Sequence, residues 1–175
     1  MSISSDALYV AKSIYNDCIS LGFSKKITEQ VDSKICLYDE MITNGQLRKK
    51  TEKLFKDGHH ARAVEEAFKL LDNYVKKKAG LENTDKTGQS LMQHVFSPNR
   101  PILKLNEGQS TSEKDEQTGY MSIYSGCMTG IRNPRAHDSD WEDTEDRALQ
   151  LLVLANHLIE KTQMAEKICL NIDSI

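Results

Sequence analysis

The segment "HARAVEEAFKLLDNYVKKKA", residues 60–79, decides the fold class of this chain. Its apolar side chains recur at spacings of three and four residues: Ala61, Val64, Phe68, Leu71 and Val75. This period places them on one stripe of an α-helix, with charged residues on the opposite side. Gly80, a typical helix stop, follows directly. The segment therefore predicts a long amphipathic helix that buries one face.

The preceding segment, "GQLRKKTEKLFKDG" at residues 45–58, predicts a shorter amphipathic helix. We expect its apolar residues Leu47, Leu54 and Phe55 to point inward. On its outward face lie three lysines: Lys49, Lys53 and Lys56. Such a face is either simply solvated or, if the protein binds RNA, the first surface expected to contact the phosphate backbone.

Two further helices complete the pattern. One is predicted from about Glu113 to Ile131, and its expected inward side is Tyr120, Ile123, Tyr124, Cys127 and Ile131. The last is predicted from an N-cap at Asp143 or Thr144 to about Lys167. Because the chain has only 3 prolines and 9 glycines and no convincing strand alternation, it predicts an all-α protein. Its four main helices are expected to form a bundle.

The expected domain organisation is a helical domain at residues 45–175, preceded by a helical extension at residues 1–44. The amino terminus lacks the basic and apolar regions of a secretory signal. No apolar run approaches the roughly 20 residues needed to span a bilayer, so we expect a cytoplasmic protein that does not enter membranes. The four cysteines are scattered without a C-x-x-C pair, and the sequence predicts neither a metal site nor a cofactor.

The charge is distributed unevenly, although the net charge is only −3. Residues 45–104 carry 13 Lys and Arg against 7 Asp and Glu, whereas residues 105–175 carry 6 against 13. One part of the chain could therefore face a polyanion that the other repels. The alternative is two solvated surfaces of different charge.

The stretch "GIRNPRAHDS", residues 130–139, is the strongest candidate for a functional site. Because Pro134 disfavours the α conformation of the residue before it, we expect the chain to turn at about Arg132–Asn133. A further helical turn would then let Arg132 and His137 point into the same volume, with the Asn133 amide beside them.

These residue types suit the cleavage of RNA. Arginine carries a permanent charge and a fork of donors matched to phosphate oxygens. Histidine, with a reference pKa near ~6.5, can take the proton of a ribose 2′-hydroxyl at neutral pH. Attack of that oxygen on the neighbouring phosphorus would leave a 2′,3′-cyclic phosphate and a 5′-hydroxyl without a metal ion.

A structural role for the same residues is the alternative. An Arg and a His in a link between helices often cap a helix or form salt bridges, here with carboxylates such as Asp138 or Glu142. Six carboxylates also lie within residues 138–146. They would repel a phosphate unless the helix turns them away, or would keep His137 protonated as an acid. The spacing alone leaves these possibilities open.

The segment "RNPRAH" resembles the R-x4-6-H motif of HEPN domains, the higher eukaryote and prokaryote nucleotide-binding superfamily. Three longer blocks resemble the Ymh-type prokaryotic HEPN-like family, over about residues 50–162. They are "LFKDGHHARAVEEAFKLLDNYVKKKAG", "LMQHVFSPNRPILKL" and "DEQTGYMSIYSGCMTGIRNPRAHD". The resemblance implies an up-and-down four-helix arrangement and a homodimer that brings two copies of the motif together.

Many HEPN proteins are metal-independent endoribonucleases of toxin–antitoxin, abortive-infection and other antiviral systems. Carried onto this chain, the resemblance implies catalytic roles for Arg132 and His137, with Asn133 as the accompanying polar residue. Arg135 has no fixed counterpart and would at most add charge for RNA binding. Other HEPN domains only dimerise, hold nucleotide or RNA, or pair with a neutralising protein such as an antitoxin, so a binding module without catalysis is the second expectation.

Overall fold

The computed structural model describes residues 34–168. The chain divides into two compact units, Met1–Met41 and Ile42–Ile175. Of the first unit only residues 34–41 are described, and they are helical. Most of the extension predicted at residues 1–44 thus lies outside the described residues.

The second unit is all-α, as predicted, with six helices among its described residues. They are α1 (Gly45–Lys56), α2 (His60–Ala79), α3 (Gly88–Val95), α4 (Thr111–Cys127), α5 (Asn133–His137) and α6 (Glu145–Met164). A π-helical turn, Met128–Arg132, joins α4 to α5. Two short strands, β1 (Leu103–Lys104) and β2 (Glu166–Lys167), pair antiparallel. Within residues 34–168 no helix combines the length and apolar character needed to cross a membrane.

Local sequence explains where the long helices begin and end. The Asn44 side chain accepts hydrogen bonds from the first turn of α1, and Ser110 forms a capping box with Glu113 at the start of α4. Thr144 caps α6, which confirms one of the two predicted positions. Gly80 ends α2 in the left-handed conformation, at a φ of 72° that favours glycine.

The core follows the predicted stripe of α2, which packs against α1 and α6. Its side chains Val64, Phe68, Leu71 and Val75 are fully buried, whereas Ala61 is half-buried. The prediction was wrong for Ile123 of α4, which is 44% exposed. The aromatic centre is instead built by Tyr124, whose ring stacks on Phe96 at 4.3 Å between centroids.

Contacts between helix ends confirm the up-and-down order. Gln46 at the start of α1 and Gln163 at the end of α6 line one cavity with Tyr74 and Lys78 near the end of α2. Glu116, near the start of α4, pairs with Lys161 near the end of α6. Neighbours α1 and α2, and likewise α4 and α6, therefore run in opposite directions.

The last helix ends three residues earlier than predicted. It stops at Met164 because Glu166 and Lys167 pair with Lys104 and Leu103. A strand of two residues is too short to show apolar alternation, so this pair of strands could not be predicted from local spacing.

Candidate functional site

The motif lies on a continuous helix. The residues around the junction, Cys127, Arg132 and Asn133, all have right-handed helical torsions. The Asn133 N–H donates to the Met128 carbonyl, five residues back, which is the π-helical pattern. The predicted turn at Arg132–Asn133 was therefore wrong. The wider turn accommodates Pro134, whose ring would otherwise press on the carbonyl four residues earlier.

The three predicted catalytic residues occupy neighbouring positions on this helix. The half-buried Arg132 donates from Nη1 to the Asn133 Oδ1 at 3.1 Å. The exposed His137 lies one turn beyond Asn133 and on the same face, at the end of α5. Arg132 and His137 are five residues apart, which on a helix separates their directions by about 140°. Asn133 therefore stands between the two, and within residues 34–168 no hydrogen bond joins them directly.

Arg135 occupies a different environment from its neighbours. Its side chain is 2% exposed, and its Nε and Nη2 donate to the two carboxylate oxygens of Asp143, at 2.6 and 2.7 Å. Its Nη1 donates to the Ile131 carbonyl at 2.6 Å, and its Cζ lies 5.5 Å from the centre of the Trp141 ring. The guanidinium is thus occupied inside the chain, where it fastens the link after α5 to the helix. We do not retain Arg135 as an RNA contact.

The six carboxylates of residues 138–146 have several different structural roles. Asp143 neutralises Arg135, and Glu145 and Asp146 lie in the first turn of α6, where the helix dipole favours negative charge. The Asp138 carboxylate accepts the N–H of Asp140 at 3.0 Å. Within the described residues, neither Arg132 nor His137 pairs with a carboxylate. The ion pair that locks this region is formed by Arg135 instead.

The three lysines predicted for RNA lie on the exposed face of α1. Lys49, Lys53 and Lys56 line a shallow groove of about 350 Å³. Lys53 forms an ion pair with Asp57, and Lys56 pairs with Glu52 at 2.6 Å. The surface is therefore basic, but two of its lysines already contact acids, Glu52 within α1 and Asp57 directly after it.

A cavity of about 520 Å³ lies between the α1–α2 turn and the segment after α5. Its walls include His59, His60, Arg62, Arg135, Trp141 and Glu142. Nothing in the local sequence around the two histidines connects them with a segment almost 80 positions later. Trp141, a large aromatic residue between Asp140 and Glu142, is the local feature of the sequence that stands out here.

Two ionisable side chains of the described residues, Glu65 and Cys127, have pKa values shifted by their surroundings. Burial acts to raise the pKa of Glu65, but a hydrogen bond from Lys69 and the charges of Arg62 and Lys69 outweigh it and lower that pKa. Burial raises the pKa of the Cys127 thiol to about 11. Within residues 34–168, no cluster of three or more His, Cys, Asp or Glu side chains is arranged to hold a metal ion.

The chain belongs to the family described as "Protein of unknown function (Hypoth_ymh)", which it matches over residues 43–162. That match covers α1 to most of α6, and it includes the motif helix. Neither a curated protein nor a solved structure matches the chain significantly.

Proposed function

We propose that this protein is a metal-independent endoribonuclease of the HEPN type, with Arg132, Asn133 and His137 as its catalytic residues. The observation that carries the proposal is the state of these side chains. His137 is exposed, the Arg132 guanidinium is oriented by Asn133, and neither ionisable group is engaged with a carboxylate in the described chain. Both therefore have free hydrogen-bonding capacity to offer a phosphodiester.

The reaction needs two proton transfers. One imidazole takes the proton of the 2′-hydroxyl, and the 2′ oxygen forms a bond to phosphorus. The bond from phosphorus to the 5′ oxygen breaks, and a second group donates a proton to that leaving oxygen. The products are a 2′,3′-cyclic phosphate and a 5′-hydroxyl. Arg132 stabilises the charge that develops on the phosphate oxygens, and no cofactor takes part.

A homodimer would supply the second proton donor, since each chain has one His137. The outward side of α4 and of the π-helical turn that follows it suits close packing against another copy of the chain. A Cβ added at Gly119, Gly126 or Gly130 would meet no atom within 4 Å, and the apolar Ile123 between them is 44% exposed. Because α5 continues α4, a two-fold axis beside this face would bring the two motifs near each other.

The α1 lysines would contact the RNA backbone. Exposed ion pairs such as those of Lys53 and Lys56 contribute at most about 1 kcal/mol, so a phosphate can replace the acidic partner. Binding through Lys49, Lys53 and Lys56 should weaken as the salt concentration rises.

Within a cell, this activity fits a cytoplasmic toxin or an abortive-infection or antiviral effector, restrained by an antitoxin or another regulatory protein. The alternative function is a binding module without catalysis. It is favoured by the exposed carboxylates of Asp138, Asp140 and Glu142, which would suit a basic partner surface.

The test is incubation of RNA with the purified protein in EDTA. Wild type should release fragments that end in a 2′,3′-cyclic phosphate, whereas His137→Ala and Arg132→Ala should not. His94→Ala and Arg100→Ala are matched controls, because both side chains are exposed and distant in sequence from the motif.

Expression of the wild-type protein should also arrest cell growth, and expression of either motif variant should not. Equal cleavage by wild type and His137→Ala would exclude the catalytic assignment, and no cleavage by wild type would favour the binding module.

A further inference from the structure

A second cavity, of about 470 Å³, lies where the start of α1 meets the ends of α2 and α6. Gln46 of α1 and Gln163 of α6 line it, and the rest of its wall comes from α2, between Leu70 and Lys78. The cavity beside the motif uses the other end of α2, around Arg62. Leu70 and Lys78 are 8 and 16 positions further along, which on an α-helix is about 12 and 24 Å. The second cavity is therefore separate from the motif.

Hydrogen bonds between α2 and α6 hold one side of this cavity. The Lys78 Nζ donates to the Gln163 carbonyl at 2.9 Å, and the Gln163 Nε2 donates to the Tyr74 hydroxyl at 3.0 Å. Tyr74 and Leu70 are both half-buried and supply the apolar part of the wall. These contacts fix the wall without a ligand, as in most small-molecule sites, and the volume is within the usual range of about 300–1,000 Å³.

Three other side chains on the wall have polar groups without a partner. Lys77, Asn73 and Gln46 are exposed, and within residues 34–168 their side chains form no hydrogen bond or ion pair. Lys77 offers an ammonium group with three donors, and each amide offers two donors and an acceptor oxygen. An apolar surface beside a few free polar groups is the usual composition of a site for a small organic molecule.

The charges on the wall favour an anion. Lys77 and Lys78 are positive, and no Asp or Glu is among the described residues that line the cavity. Lys78 already donates to a carbonyl, so one ammonium group is left for a ligand. The last turns of α2 and α6, the negative ends of their dipoles, also lie here, which makes a doubly charged phosphate less favourable than a single carboxylate.

The start of α1 does not add donors for a phosphate. The N–H groups of Gln46 and Leu47 already donate to the Asn44 side chain, at 3.1 and 3.0 Å. A carboxylate needs fewer donors than a phosphate, and the ammonium of Lys77 with one amide would satisfy it.

We infer that this cavity binds a small organic acid, in which an aromatic body carries one carboxylate. The carboxylate pairs with Lys77 and accepts a hydrogen bond from Asn73 or Gln46. The aromatic body lies against Leu70 and the Tyr74 ring, because aromatic rings pack favourably on one another in offset arrangements. No residue of the motif takes part, so the site is independent of the proposed ribonuclease function.

Three probes with the same ring and different charges test this site in the purified protein. Phenylacetate carries a carboxylate, phenylacetamide is the corresponding neutral amide, and 2-phenylethylamine is a cation at neutral pH. Wild type should bind phenylacetate most tightly. The amide should bind about fivefold more weakly, the effect of losing an exposed ion pair, and the cation more weakly still. Isothermal titration calorimetry measures the three dissociation constants.

Variants of exposed residues assign the binding to this cavity. Lys77→Gln should remove the difference between phenylacetate and phenylacetamide. Lys86→Gln, the matched loss of an exposed lysine outside the cavity, should keep it. Asn73→Trp should fill the cavity and weaken the binding of phenylacetate and phenylacetamide alike. Because all three side chains are exposed, the circular dichroism of the variants should stay unchanged.

Several results would overturn the inference. They are no binding of phenylacetate by wild type, tighter binding of the amine, an unchanged preference in Lys77→Gln, and unchanged binding in Asn73→Trp. Tighter binding of adenosine 5′-monophosphate than of phenylacetate would also overturn it, and would assign the cavity to a nucleotide instead. RNA cleavage in EDTA is measured separately, so failure of this site and failure of the ribonuclease are distinguishable.

Discussion

Arg135 and Asp143 form a bidentate ion pair with side chains that are 2% and 0% exposed. The pair joins the helix that carries the motif to the segment in front of α6. This ion pair is buried, whereas the neighbouring Arg132 and His137 form no ion pair with a carboxylate within the described residues. The same six-residue segment thus contains a structural arginine and two ionisable side chains that pair with no carboxylate among the described residues.

Removing one member of this pair should destabilise the protein strongly. Arg135→Ala or Asp143→Asn leaves a buried polar partner without its counterpart, and we expect the free energy of unfolding to fall by about 3–5 kcal/mol. Urea denaturation measures this loss. Arg147→Ala is the control, because that arginine is 59% exposed and lies 3.6 Å from the same carboxylate. A loss in Arg135→Ala no larger than in the control would contradict a structural role.

His137→Ala should separate activity from stability. An exposed side chain without an internal partner contributes little to folding, so the free energy of unfolding should change by no more than about 0.5 kcal/mol. Cleavage should nevertheless fall by about 10²–10⁴ if the imidazole transfers a proton. Denaturation and RNA cleavage are measured on the same preparation. A large loss of stability would instead support the structural reading of the motif.

Gly126→Ala tests the outward face of α4. An alanine there meets no atom within 4 Å, and glycine inside a helix is less favourable than alanine by about 1 kcal/mol, so the folded chain should become more stable. If this face packs against a second copy, the added methyl group should weaken dimerisation, which sedimentation would detect. Gly45→Ala, at the start of α1, is the control and should leave association unchanged. Unchanged association in Gly126→Ala would place the dimer contact elsewhere.

Glu65 should contribute to the pH dependence of stability. Its pKa is lowered in the folded protein, because the contacts with Lys69 and Arg62 outweigh burial. Such a carboxylate stabilises the fold above the pKa of the unfolded chain, and this stabilisation disappears as the pH falls through the folded value. The difference in unfolding free energy between wild type and Glu65→Gln should therefore shrink towards acid pH. A difference that is constant with pH would argue against this pair of contacts.

Cys127 and Cys36 should differ in reactivity. Burial raises the pKa of Cys127 to about 11, so little thiolate is present at neutral pH, whereas Cys36 is exposed. Alkylation of the native protein, followed by peptide mass spectrometry, should modify Cys36 before Cys127. Denaturation before alkylation is the control and should remove the difference. Equal rates in the native protein would contradict the burial of Cys127.

Much of the helical fold could be predicted because local and long-range preferences agree. The stripe of α2, its stop at Gly80 and the cap at Thr144 each follow from a few neighbouring residues. Ile123 was misplaced because apolar spacing alone does not say how wide the buried face of α4 is. The glycines and small polar residues around it leave that side of the helix open.

The candidate site was predictable in its residues but not in its geometry. Arg132, Asn133 and His137 stand out in the sequence, whereas Arg135 looks equally suited to phosphate. Only the fold shows that Arg135 faces Asp143 across a loop. The helical path through Pro134 also escaped prediction, because the bias of the residue before proline away from helical torsions is only a preference, and Asn133 adopts helical torsions despite it.

The π-helical turn at Met128–Arg132 determines the direction in which the side chains of α5 point from the helix axis. Such a turn corresponds to an α-helix with one additional residue. If the same number of residues followed regular α-helical winding instead, the His137 imidazole would be rotated by about 100° around the axis. The side chains would be the same, yet they would aim at a different neighbour. The direction in which the motif side chains point therefore depends on how the backbone winds before them.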